Sequence, residues 1–314
     1  MARFLIIRLG LIVMTLFVIS LAIFGVTEIL PGDVATQVLG QGATPENVAA
    51  LRERMGLDRP LPERYLDWVS GAVRGDLGES LVQRLPITEM IAPRLANSII
   101  LASFTFFLAI PLAVGIGIWA GVNRNSFGDR AVSMASLVAI SLPEFVTGVL
   151  LIIVFASTLG WLPSSSLVEP GTNPLTRPQI LVLPALTLTG VMFAYVMRMA
   201  RANVIEVLET NYVRSAILKG LPMRQVIWRH VVPNAMLPTI SVISLNVGWL
   251  LGGLILVENV FSYPGLGRML LTSIQTRDVP LLQALSLLIA AAYAFSNLAA
   301  DLAYTWLNPR IRFA

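Results

Sequence analysis

Six stretches of this sequence, roughly residues 9–30, 99–121, 132–159, 180–200, 237–257 and 281–304, are apolar over lengths that a soluble domain cannot bury. A helix needs about 20 predominantly apolar residues to cross the hydrocarbon core of a bilayer. None of the six alternates apolar and polar residues as a barrel strand would, so each backbone must satisfy its own hydrogen bonds as a helix. The fold class is therefore an all-α membrane protein with six transmembrane helices. Composition agrees: charged residues make up 13% of the chain and the mean hydropathy is +0.77, against about 25% charge in soluble domains. Arg3 and Arg8 precede the first run, as in a signal peptide. Its apolar core is too long for one and no small-residue cleavage site follows, so it is expected to stay as an anchor.

Basic residues set the expected orientation. Arg3, Arg8, Arg124, Arg130, Arg198, Arg201, Arg214, Lys219, Arg224, Arg229, Arg310 and Arg312 fall on one side of the six runs. The short loops opposite hold Arg177, Arg268 and Arg277. Short loops rich in Lys and Arg stay in the cytoplasm, which places both termini there. The net charge of +4 follows from this topology and gives no reason to expect nucleic acid.

Three regions result: an N-terminal transmembrane helix at 1–30, an extracytoplasmic insert at 31–98, and a five-helix core at 99–314 that includes a cytoplasmic loop at 201–236. In the insert, "GATPENVAALRERMGLD" reads as a helix. Thr44 is placed to cap it, Pro45 to open it and Gly56 to end it, with Val48, Leu51 and Met55 forming an apolar stripe. "LPERYLDWVSGAV" supplies a second helix, with Tyr65, Trp68 or Val69, and Ala72 on one face. Two short helices cannot build an independent core. They should pack on each other and on the membrane helices, as a docking surface for an external partner or as a plain connector.

Polar residues inside apolar spans are costly and therefore informative. In "SLPEFVTG", Pro143 removes a backbone donor and should kink the third span. Glu144 follows it, about 20 Å from the cytoplasmic end at 1.5 Å per residue. It either lines a substrate path or pairs with another helix. Asn246 and Asn297 are candidates for the same pathway and read equally as interhelical hydrogen bonders. Gly252 and Gly253 suggest close helix packing.

The loop before the fifth span contains "NYVRSAILKGLPMRQVIWRHVVP". Ile205, Leu208, Tyr212, Ala216 and the stem of Lys219 recur at helical spacing. Gly220 supplies a left-handed stop, and Pro222 opens a second helix carrying Met223, Val226 or Ile227, and His230 or Val231. Such a pair lies flat on the bilayer or seats in a groove of a soluble partner. Periodicity does not choose between them.

Spacing does. Arg214-Ser215-Ala216, three residues, Gly220, nine residues, then His230-Val231-Val232-Pro233 resembles the "EAA" loop of permease subunits in ATP-binding-cassette importers, whose frame is EAA-x3-G-x9-I-x-L-P. Ala216, Gly220 and Pro233 match, while Arg214, Ser215, His230 and Val232 depart from it. "ILPGD", "GDLGES", "NAMLP", "LGGLILVENVFSYPGLGRMLL", "RDVPLLQA" and "LNPRIR" look, in order, like the dipeptide and oligopeptide permeases, and specifically the first permease of the pair. The resemblance implies a multi-pass inner-membrane subunit working by alternating access. Its implied partners are a second related permease, two ATPase subunits, an extracytoplasmic substrate-binding protein and membrane lipid. It also implies that Glu209, Tyr212, Arg214, Ala216, Lys219 and Gly220 form the contact with the ATPase. No cofactor is implied for the chain; ATP and magnesium would be used by the ATPase partners.

The residues themselves argue against an enzyme. The single lysine is followed by glycine, with no Gly-Lys-Ser/Thr phosphate loop. One histidine and no cysteine leave no two-histidine metal motif and no thiol nucleophile. The alternative is an ion-coupled secondary transporter with an interfacial helix pair, which usually shows repeats with matching broken helices.

Overall fold

The computed structural model describes residues 2–29, 34–39, 43–54, 56–169 and 171–307. Arg310 and Arg312, used above for orientation, lie outside them, as does Met55 of the expected apolar stripe. The described chain is helical: α1 Ala2–Ile29, α2 Val34–Leu39, α3 Pro45–Arg54, α4 Leu61–Arg74, α5 Ile87–Val122, α6 Phe127–Ser141, α7 Glu144–Leu151, α8 Gln179–Leu208, α9 Asn211–Leu218, α10 Met223–Val226, α11 Val232–Val260, α12 Leu266–Gln275 and α13 Val279–Leu307. Among the described residues, five helices are long and apolar enough to cross a membrane, and six if α6 with the α7 segment counts as one span.

That sixth span is not the kinked helix expected. Its two halves, Phe127–Ser141 and Glu144–Thr158, meet at 109°. Pro143 forces the residue before it away from helical geometry, and both Leu142 (ψ 130°) and Pro143 (ψ 141°) are extended. Two consecutive extended residues break a helix rather than bend it. Past α7, Ile152–Thr158 continues as a wide π-helical turn.

The chain divides into two compact units, Met1–Ala96 with Gly265–Phe295, and Asn97–Pro264 with Ser296–Ala314. In the first, Ile87, Met90 and Ile91 pack with Leu266, Met269, Leu281 and Leu285. The expected insert helices are present. The Asn47 amide donates to Thr44 Oγ1 at 3.3 Å, Pro45 opens α3, and Gly56 has φ +63°. α4 lies on α1: the Phe24 ring meets Tyr65 edge-on (centroids 5.5 Å) and stacks on Trp68 (6.2 Å). Tyr65 and Ser20 share a hydrogen bond of 2.8 Å, and Arg64 donates two bonds to Glu28, at 2.6 and 3.0 Å. The "GDLGES" turn is held from below. Buried Asp278 accepts from the Ser80 hydroxyl and from the amides of Leu81 (3.2 Å) and Val82 (3.5 Å).

The second unit is organised around α8. Of its most apolar stretch, 61% is buried within the chain, against 11% for α1. α5 crosses α8 at Gly117 and Gly121, a small-xxx-small pair that lets two backbones approach. A Cβ at Gly117 would sit 2.6 Å from the Met197 carbonyl, and one at Gly121 2.7 Å from Val204 Cγ1. Of the glycines expected to pack closely, Gly253 does, against Leu188 and Glu144, whereas Gly252 faces open space. The loop after α11 is locked by Tyr263, whose hydroxyl donates to the Asn97 carbonyl at 2.8 Å while Ser98 donates to the fully buried Glu258. Burial, with the nearby Glu258 carboxylate adding to it, pushes Tyr263 above the usual phenol range, so the donating proton stays in place.

Candidate functional site

α8 ends at Leu208 because Glu209 and Thr210 leave the helix, Thr210 with an extended ψ of 149°. The expected single face from Ile205 to Lys219 is therefore interrupted. Ile205 and Leu208 belong to α8, and α9 is a separate helix of 8 residues. Its buried residues are Val213 and Ala216, in place of the Tyr212–Ala216–Lys219 stripe that the spacing suggested. These two enter a cluster with Val204 of α8, Val226 of α10, Val231 and Ala235. Ile118 and Val122, at the end of α5, pack against the same cluster.

α9 stops as the sequence predicts. Gly220 has φ +80°, its amide donates to the Ile217 carbonyl at 2.9 Å, and the Leu221 amide reaches Ala216 at 3.4 Å. That pair of bonds is the Schellman closure of a helix on a left-handed glycine. Pro222 then caps α10 rather than forming its first turn. The chain does not break again at Pro233: Met223 to Val260 run as one helical span of 38 residues, widened into a π turn at Ile227–Val231. At the end of that turn the His230 carbonyl accepts from Asn234 (2.7 Å) and from the Tyr212 hydroxyl (3.3 Å), tying α9 to the return helix.

The result is a short helix with a buried root and a mixed exposed crown. Tyr212, Arg214, Ile217, Leu218 and Lys219 all face outward, Leu218 at 80% exposure, with Met223 and Trp228 exposed beside them. Of the other expected contact residues, Ala216 is part of the root, Gly220 forms the turn, and Glu209 is salt-bridged to Arg124 in the loop after α5.

Sequence reasoning missed the strongest polar tie near this segment. Asp129, buried at the first turn of α6, accepts from Arg201 of α8 through both carboxylate oxygens, the Nη2 contact being 2.8 Å. It also takes the Asn125 amide at 2.9 Å, and the Ser126 hydroxyl caps the same helix. Arg201 had served only as a topological marker. An Asp three residues after an N-capping Ser was the available signal.

The three pathway candidates are not joined to one another. Glu144 opens α7 with both carboxylate oxygens buried and without a hydrogen-bond partner. They press on α11, where a Cβ at Gly253 would lie 2.8 Å from Oε2. Asn246 is buried and donates to the Val242 carbonyl of its own helix at 2.8 Å. Asn297 is half-buried on α13.

Known proteins resemble the chain along its whole length. It is 38% identical over 313 residues to the glutathione transport system permease protein GsiC of Escherichia coli O6:H1, covering 100% of both chains. It is 37% identical, again over 100% of both, to GsiC of Shigella dysenteriae serotype 1. A probable peptide ABC transporter permease, y4tP of Sinorhizobium fredii, is 34% identical over 306 residues, 98% of each chain. Residues 1–102 match the N-terminal region of binding-protein-dependent transport system membrane components. Membership of such a system brings an ATPase, a binding protein and a partner permease, and it replaces the ion-coupled alternative. With residues 113–313 matching the family's principal region, the chain belongs to the binding-protein-dependent transport system inner membrane components, as a multi-pass inner-membrane permease of an ABC importer and not itself an ATPase.

Proposed function

We propose that the chain imports small peptides, with glutathione-like tripeptides in the same class, as one half of a permease pair served by two ATPase subunits. The similarity to glutathione and peptide permeases supports the substrate class. Both termini and the α9–α10 segment face the cytoplasm on the charge argument, and the insert at 31–98 faces the binding protein. The observation that carries the coupling role is the geometry of α9: buried Val213 and Ala216 fix it to α8, α5 and α11, while Tyr212, Arg214, Leu218 and Lys219 stay available to a partner. ATP-driven closure of the ATPases pushes this crown, and the α8 and α11 ends move with it, alternating the access of the central path. Glu209 takes part through its bond to Arg124.

Because the chain has no cysteine, a single Leu218→Cys change gives one defined crosslinking position. Crosslinking in native membranes should capture a nucleotide-binding subunit, and capture should depend on nucleotide. Exclusive labelling of Leu218→Cys by lipid-borne reagents would overturn the coupling role. Glu144 lies on the cargo path in this reading and meets a peptide ammonium when α7 parts from α11. Glu144→Gln should then depress uptake of free peptides more than that of amine-blocked ones, and equal loss would make it structural.

A further inference from the structure

The first unit contains a cleft that the coupling and pathway residues do not use. Its volume is about 680 Å³, inside the range of about 300–1,000 Å³ typical of small-molecule sites. It is lined by the end of α1, with Phe24, Thr27 and Glu28, and by the turn before α4 and its first turns, with Arg59, Arg64, Asp67 and Trp68. Gln283 joins the lining, its amide donating to Thr27 Oγ1 at 2.7 Å.

The charges in this cleft are paired across short distances. Arg64 holds Glu28 in a two-point contact with both side chains about one-fifth exposed (19% and 21%), so this pair is a fixed wall. Arg59 is different. It bridges Asp67 at 2.6 Å and Glu63 at 3.4 Å on the open rim, with half of its side chain exposed. Exposed pairs of this kind exchange readily for other ions. A simple anion entering here gains Arg59 and is opposed by Asp67 and Glu28; a simple cation meets the reverse. A solute carrying both signs a few ångströms apart satisfies both ends at once. Trp68 and Phe24, with Leu57, Leu61 and Leu81, offer the apolar surface that an uncharged side chain needs.

We infer that this cleft is a binding site for a small zwitterion, specifically a free di- or tripeptide whose carboxylate takes Arg59 and whose ammonium takes Asp67. The inference rests on the peptide-import reading and gives it a permease site separate from the membrane path, where cargo pauses near the insert. Recognition of the two termini, with a loose apolar lining for side chains, makes the site general for short peptides and indifferent to their sequence.

The test is calorimetry on the full chain in phosphatidylcholine nanodiscs, with dialanine and trialanine as probes. Saturable binding is expected, at least tenfold weaker for N-acetyl-dialanine and for dialanine amide. Arg59→Gln and Asp67→Asn each remove one end of an exposed pair, so both should fold normally and each should weaken dialanine binding at least tenfold. Arg59→Lys should restore part of it. Equal binding of free and blocked peptides, binding unchanged in both variants, or no saturable binding by the wild type would each overturn the inference. Displacement of dialanine by phosphatidylethanolamine added to the discs, with the same loss in both variants, would also overturn it by assigning the cleft to a lipid headgroup. Uptake by cells carrying the whole importer tests the transport reading separately: a chain that binds dialanine here but supports uptake of no peptide sinks that reading and leaves the cleft standing.

Discussion

Replacing Asp129 with Asn offers a quantitative test of how α6 is anchored to α8. The carboxylate is 2% exposed and accepts from the Nε–Nη2 edge of the Arg201 guanidinium, a side chain that is itself 28% exposed. Breaking a fully buried pair costs about 3–5 kcal/mol, and each hydrogen bond to a charged group is worth about 1.5–3 kcal/mol. The partial exposure of Arg201 lets water take over some of its lost bonding. The asparagine oxygen also still accepts the Asn125 amide. A loss of ~2 kcal/mol follows, roughly a 30-fold change in the unfolding equilibrium at 1.4 kcal/mol per decade. Reversible unfolding in mixed micelles, followed by near-ultraviolet circular dichroism, measures it. A cycle with Arg201→Gln isolates the pair, and its coupling energy should be about 2 kcal/mol, since residues in one network are not additive. Additivity of the two changes within about 0.5 kcal/mol would refute the reasoning and reduce the pair to a solvated contact.

Three further outcomes are expected. Gly117→Ala should lower folded yield and stability by about 1–3 kcal/mol through overpacking on the Met197 carbonyl, whereas Gly115→Ala, with nothing within 4 Å, should be neutral or better; thermal melts in detergent compare them. Gly220→Val forces a branched residue to φ +80° at about 1–2 kcal/mol, and should uncouple ATP hydrolysis from uptake while leaving membrane insertion intact, as read from solute moved per ATP in proteoliposomes. Asp278→Ala strands the Ser80 hydroxyl and the Leu81 and Val82 amides, at about 1–3 kcal/mol for unsatisfied groups; hydrogen exchange at those two amides should rise sharply, with α4 unaffected.

The membrane helices were legible because apolar length alone specifies them, α3 because its cap is a local signal, and α4 because its stripe is. Gly220 was legible for the same reason, since a left-handed stop is a property of one residue in its immediate sequence. Asp129 and Arg201 were not, being 72 residues apart, and no periodicity reports which charged ends of two helices will meet. Buried amides in the spans go both ways: Asn246 bonds to Val242 one turn back on its own helix, whereas Asn203 of α8 donates to Thr239 of α11 at 2.9 Å, and no local pattern tells the two apart. The break at Pro143 was visible as a proline and underestimated in size, because two successive extended residues, rather than one missing donor, set the 109° angle. In the α9 segment the frame located the turn, while its true buried face depended on Val204, Val226 and Val231 arriving from elsewhere.

The enclosure of α8 has a mechanical consequence. A helix that touches little of its own chain, as α1 does, can roll or tilt by trading one loose contact for another at little cost. α8 has no such freedom, because its side chains sit among those of α5, α6 and α11, and close-packed surfaces slip only by leaving one set of hollows for the next. Since α9 follows the end of this helix, a smoothly increasing force applied there is expected to move α8 in discrete steps, with a threshold below which nothing moves.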